Sequence, residues 1–215
     1  MNPTSNQRSP AADRYISVTP AGCYYAVENR DPTIARQILH RILSVPVSPA
    51  LSQFSKTDID SILELLKSEL VMLTDQPITL PEGNLTKLLP HVLSALSEQG
   101  RVVLTESGQG LFIDYSGISQ DEAEELAVMA AGFRVLAEKR TRLLAKQLSI
   151  SSRAFGVVDP AGNSEIGFWP LYISDNVFTL IVLGIPRFNT AQFCTLVWAL
   201  VERYGEHEND DARDF

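Results

Sequence analysis

The sequence predicts an α+β protein built on a five-stranded antiparallel sheet, in the order α-β-β-α-β-β-β-α, with a helical extension in front of it. Three observations carry this. A long, capped helical pattern runs over 119–148. Two β-rich runs joined by a glycine-containing turn stand just before it. Three more strand-like runs, separated by tight-turn sequences, and a last apolar helix stand just after it.

Taken in order, residues 1–15 are rich in Asn, Ser, Pro and Gln and read as a disordered lead-in. Residues 16–83 read as the extension. Cys23-Tyr24-Tyr25-Ala26-Val27 reads as a short strand. Asp31-Pro32 offers an N-cap with Pro at the first helical position. The helix that follows would turn Ile34, Ile38, Leu39, Ile42 and Leu43 inward and stop before Pro46. Ser55-Lys56-Thr57-Asp58 has the form of a capping box, with Asp in the place of the usual Glu or Gln. Ile59, Ile62, Leu63, Leu66, Leu70 and Leu73 then trace one helical face. Residues 74–83, with Pro77, Pro81 and Gly83, mark the boundary with the main domain, 84–204.

In that domain Asn84 would cap a helix over 85–99 that Gly100 ends, with Pro90 as a kink inside it. Runs 101–105 and 111–115 flank the five-residue turn 106–110 as a hairpin. Ser119-Gln120-Asp121-Glu122 is a capping box, acids fill the first turns, and Lys139, Arg140, Arg142 and Lys146 fill the last. A helix over the whole stretch is roughly 45 Å long at ~1.5 Å per residue. Ala123, Leu126, Ala127, Ala130, Phe133, Ala137, Arg140 and Leu144 step along one side of it. Strand patterns follow at 153–158, 165–172 and 177–183, joined by turns at 159–163 and 174–176. Pro170 predicts a strand end or a bulge. Asn189 would cap the last helix, to Tyr204, which is apolar around most of its girth and should be covered on two sides. Residues 205–215 hold five acids against one Arg and read as a solvated acidic tail.

The totals exclude several function classes. A formal net charge of -8 argues against a phosphate-backbone partner. Cys23 and Cys194, in different contexts, argue against a disulfide framework and for a reducing cytoplasm. The first 14 residues lack the apolar core of a secretory signal, and the run 177–185 is too short to span a bilayer. His40, His91 and His207 have no His or Cys at ligand spacing, so no metal and no cofactor are expected. Gly108 and Gly110 precede a strand and no Lys follows, which suits a turn rather than a phosphate loop. Asp121 and Glu122 are explained by capping and Asp159 by its turn; Asp114 has no opposed acid beside it in sequence. Ser107 and Ser116 lack a nucleophile signature. No enzyme is expected.

Val102-Val103-Leu104-Thr105-Glu106-Ser107-Gly108-Gln109-Gly110-Leu111-Phe112-Ile113, Ser119-Gln120-Asp121-Glu122-Ala123-Glu124-Glu125-Leu126-Ala127, and Asp159-Pro160-Ala161-Gly162 followed by Phe178-Thr179-Leu180-Ile181-Val182-Leu183 occur in that order. In this order they resemble the roadblock/dynein light-chain domain over about residues 84–204. Pro90, Pro170 and the extension over 31–73 depart from the family pattern. The resemblance implies a non-enzymatic platform that forms a homodimer and binds a small Ras-like GTPase, as MglB-type regulators do, or another protein partner. It implies a dimer edge at Arg153, Phe155 and Val157. For the long helix, Val128, Arg134, Glu138 and Arg142 are the expected partner-docking face. The competing expectation is a ligand-sensing module whose pocket lies between sheet and helix, with Phe168 and Trp169 near its mouth.

Overall fold

The computed structural model describes residues 13–81, 85–106, 110–148 and 154–205, with the backbone alone at 138 and 140–148. Its elements run β1 (Tyr15–Val18), α1 (Pro20–Val27), α2 (Ile34–Leu43), α3 (Lys56–Lys67), β2 (Val71–Thr74), α4 (Leu85–Ser94), β3 (Val102–Glu106), β4 (Leu111–Ser116), α5 (Gln120–Leu148), β5 (Phe155–Val158), β6 (Ser164–Ile173), β7 (Asn176–Leu183) and α6 (Ala191–Tyr204). The five-stranded sheet is antiparallel throughout, in the order β4-β3-β7-β6-β5. β1 and β2 form a separate antiparallel pair.

Side chains on the strands alternate between two layers. Val102, Leu104, Leu171, Phe178, Leu180 and Val182 face a large core shared with α6, α4 and the extension. Val103, Phe168 and Ile181 face the other way, against α5. The extension therefore does not stand apart. Ile16, Leu39, Ile42 and Ile62 lie in the same core cluster as Phe193, Leu196 and Val197 of α6. α6 is covered on two sides, by the sheet and by α1 and α2. Trp198 donates its Nε1–H to the Val45 carbonyl at 2.7 Å, tying α6 to the connector after α2.

Several expectations in the extension are corrected. Cys23 to Val27 are helical, and the strand lies earlier, at Tyr15–Val18. The reason is Thr19-Pro20: Thr19 Oγ1 accepts from Gly22 N at 3.1 Å, and Pro opens the helix. Thr33, rather than Asp31, caps α2, and Ile34 is exposed. The capping box of Ser55 and Asp58 forms as expected. α3 ends at Lys67, because Glu69 turns to φ 57° and Leu70 N donates back to Leu65 O at 2.9 Å. Leu70 and Leu73 thus leave the helical face, and 71–74 becomes the partner of β1.

In the main domain α4 stops at Ser94, five residues before the expected end, since Glu98 N bonds Ile185 O and Arg187 N bonds Leu96 O. Pro90 is accommodated inside α4. Pro170 marks neither an end nor a bulge. The register of β6 with β7 runs unbroken through Pro170 opposite Thr179, while the pairing with β5 stops at Phe168. The missing N–H therefore falls where β6 has outrun its other neighbour. Thr190, one residue after Asn189, caps α6 by accepting from Phe193 N. Asn84, the turn 107–109 and the tail 206–215 lie outside the described residues, as does most of the N-terminal lead; Tyr15 already belongs to β1.

Candidate functional site

α5 is the element on which a surface is built. Ser119 and Glu122 close its capping box: Ser119 N and Oγ donate to Glu122 Oε2 at 2.8 and 2.9 Å, and Glu122 N donates to Ser119 Oγ at 3.3 Å. Those bonds from Ser119, with Arg101 nearby, hold the Glu122 carboxyl below the usual range. Ala123, Ala127, Ala130 and Ala137 are buried, and small side chains let the helix lie close to the sheet. Phe133 locks the contact. It stacks on Phe155 of β5, ring centroids 6.3 Å apart, and meets Phe168 of β6 edge-on at 5.1 Å.

The opposite side of the same helix is apolar and open. Val128 is 64% exposed and Leu136 52%, with Met129 and Val135 also exposed. These residues recur at helical spacing on one side. Gly132 lies among them, and a Cβ added there meets nothing within 4 Å. A helix apolar on both faces has more apolar side than its own sheet covers. Phe133–Phe155 brings β5 beside this helix, and β5 is a terminal strand of the sheet. Val157 and Val158 on it are exposed, Val158 at 60%. A terminal strand presents N–H and C=O groups on its outer side. The outer side of α5 and the terminal strand β5 thus each present exposed apolar side chains.

The residues expected at the surface separate into groups. Phe155 is half-buried under Phe133, and Val157 is exposed on the edge; Arg153 lies outside the described residues. Val128 is on the open stripe. Arg134 is half-buried, on the side of α5 away from Val128. The side chains of Glu138 and Arg142 lie outside the described residues. Met129, Gly132, Val135 and Leu136 of the stripe were not singled out together from sequence. Their signal was a second apolar set offset from the alanine stripe by half a turn.

Phe168 and Trp169 do not share a pocket mouth, which corrects that expectation. As neighbours on a strand they point to opposite faces. Phe168 packs under α5, and Trp169 lies across Gly167 and meets Phe188 edge-on at 5.0 Å. Two cavities lie elsewhere. One of about 790 Å³ is an open cleft with mixed charge, including Arg30, His40, Arg41, Asp31, Asp58 and Asp175. The other, about 340 Å³, is mostly apolar and sits between β1, α1, α2 and α6.

Chemistry-bearing groups are mostly accounted for by structure. His40 Nε2 sits 2.9 Å from the Ala26 carbonyl, so it carries the proton and donates. Asp159 takes bonds from Asn163 and from Ala161 N in its turn, which hold its carboxyl below the usual range. Burial pushes the Asp114 carboxyl up, and its own neighbour Tyr115 N, bonded at 2.8 Å, opposes this. Among the described residues no group of three or more His, Cys, Asp or Glu is placed to hold a metal ion. No described helix is long and apolar enough to cross a membrane.

No family model matches the chain, and no curated protein matches it. A solved structure does. It is the crystal structure of a roadblock/LC7 domain from Streptomyces avermitilis, similar over 56% of this chain and 93% of that one, at 16% identity and a TM-score of 0.37.

Proposed function

We propose that this chain is a non-enzymatic interaction platform that pairs with its own copy through α5 and β5 and binds a small Ras-like GTPase. The observation that carries the pairing is the open apolar stripe of Val128, Met129, Val135 and Leu136 on α5, together with the exposed apolar terminal strand β5. A twofold partner meets the same patch on both subunits, so a self-complementary stripe and edge satisfy both at once. Gly132 leaves room for the helices to approach closely. The GTPase part rests on the resemblance of the hairpin, the capped helix and the turn at 159–162 to the roadblock family.

The test of pairing is light scattering on the full chain. The wild type should give about twice the 23.7 kDa chain mass. The double substitution Val135→Glu, Leu136→Glu should give a single chain with unchanged circular dichroism, because both side chains are exposed in the single chain. A wild type that runs as a monomer removes the pairing. Capture from lysate with and without GTP tests the other half, and recovery of no nucleotide-binding protein counts against it.

A second reading is favoured by the 340 Å³ apolar cavity, whose size and lining suit a small apolar ligand. A ligand-dependent rise in melting temperature, lost in Trp198→Ala but kept in the α5 double variant, would favour it.

A further inference from the structure

The only two cysteines of the chain meet at the junction of the extension and the main domain. Cys23 is on α1 and fully buried; Cys194 is on α6 and half-buried. α1 packs on α6, and both thiols line the 340 Å³ cavity together with Ile16, Ile42 and Trp198. Both cysteines are free. We propose that Cys23 and Cys194 are a reversible oxidation site, at which a small hydroperoxide entering the cavity converts the two thiols into an intrachain disulfide between α1 and α6.

The two thiols are not equivalent. Contact with Cys194, then burial, pushes the Cys23 thiol well above its ordinary range. The Cys23 thiol as donor holds Cys194 below its ordinary value, against the effect of burial. Cys194 is therefore the one that ionises first, and it is also the better exposed. In the first step its thiolate attacks one peroxide oxygen. An S–O bond forms, the O–O bond breaks, and the leaving alkoxide or hydroxide takes up the proton that the thiol released. Sulfur loses two electrons and the peroxide gains them. In the second step Cys23 sulfur attacks the Cys194 sulfenic sulfur. The S–S bond forms, the S–O bond breaks, and hydroxide leaves as water with the Cys23 proton. The sum is two thiols and one hydroperoxide giving a disulfide, an alcohol or water, and one further water. Once Cys194 has become a neutral sulfenic acid, the thiolate that held the proton on Cys23 is gone, which frees Cys23 to resolve it.

The link would tie chain position 23 to position 194, and a long closed loop restricts the unfolded chain strongly. It would lock the extension onto the face of the sheet opposite α5. The site is independent of pairing through α5, so each stands or falls by its own measurement.

The experiment uses the full chain, reduced and then exposed to hydrogen peroxide, followed by non-reducing peptide mapping. The expected result is a monomeric chain carrying a Cys23–Cys194 cross-linked peptide, reversed by dithiothreitol. Its melting temperature should rise by several degrees over that of the reduced chain. Cys23→Ser should leave a Cys194 sulfenic acid that dimedone traps, and Cys194→Ser should give no dimedone adduct. Two results overturn the proposal. One is that both thiols remain free to alkylate after peroxide treatment of the folded wild type. The other is oxidation to sulfinic acid or to a disulfide between chains, with no intrachain peptide. The wild-type mapping decides even if a serine variant folds poorly.

Discussion

Arg36 shows how much one side chain carries in the extension. It sits on α2 and is buried. Its Nε donates to the Tyr25 carbonyl at 3.0 Å, one Nη to the Asp31 carbonyl at 3.1 Å, and the other meets Glu28 at 3.3 Å. The guanidinium also lies over the Tyr25 ring, 4.5 Å from its centroid. These contacts hold α1 against α2. Arg36→Met keeps the apolar stem but strips the donors from two carbonyls and leaves Glu28 unpaired. We expect a loss of roughly 3 kcal/mol in unfolding free energy by urea titration, with the slope of the transition unchanged. A loss within experimental noise would mean that packing alone joins the helices. Gly22 belongs to the same scale. A Cβ there would stand 1.9 Å from the Leu70 carbonyl oxygen, so α1 reaches its seat only because residue 22 has no side chain. From sequence both residues look ordinary, an arginine on a helix and a glycine shortly before two tyrosines. Their partners lie in other elements, so no local pattern marks them.

At the scale of elements, the two capping boxes were legible, whereas several other helix ends were not. The Ser55–Asp58 and Ser119–Glu122 boxes form as their spacing predicts, since the bonds involved are local. Asp58, Glu122 and Asp159 are all held below their ordinary values by such bonds. A lowered value in the folded state means that the unfolded chain binds more protons in the window between the two values. Their contribution is therefore full above the ordinary carboxylate value of about 4 and is lost as the pH falls through the lowered folded values. The denaturation midpoint should drop on acidification below that point, and Glu122→Gln should flatten part of the drop. A midpoint that is level across that range would show that the boxes hold without charge. The elements that departed from expectation did so for non-local reasons. α4 is cut short by pairing of 96–98 with 185–187, and β6 keeps its line through Pro170 because β5 ends at its far side.

At the scale of the whole molecule, the sheet has two covers. α5 lies on one face; α4, α6 and the extension share the other. The composition shift at 74–83 marks a break in the chain, yet Ile16, Leu39 and Ile42 complete the core around α6. Removing residues 1–83 would bare Phe193, Trp198 and their neighbours and leave an apolar patch larger than soluble monomers carry. We expect the shortened chain to aggregate, or to lose cooperative unfolding by calorimetry. A soluble, cooperatively folding fragment would instead make 84–204 a self-sufficient domain. The same arrangement leaves the outer face of α5 open, because the extension occupies the other side of the sheet.

By itself the sequence determined what depends on near neighbours. That covers the order of the main-domain elements, the capped start of α5, the hairpin strands β3 and β4, and the turn at Asp159. Periodicity and capping act within a few residues, so they can be read along the chain. Tertiary structure alone decided which faces met. It turned 71–73 from helix into strand paired with β1, set Phe168 and Trp169 on opposite layers, and brought Cys23 to Cys194. It also decided that the second apolar stripe of α5 has no cover within the described chain. Burial depends on what packs against a surface from a distance in sequence, and a one-dimensional pattern gives the face but not its occupant.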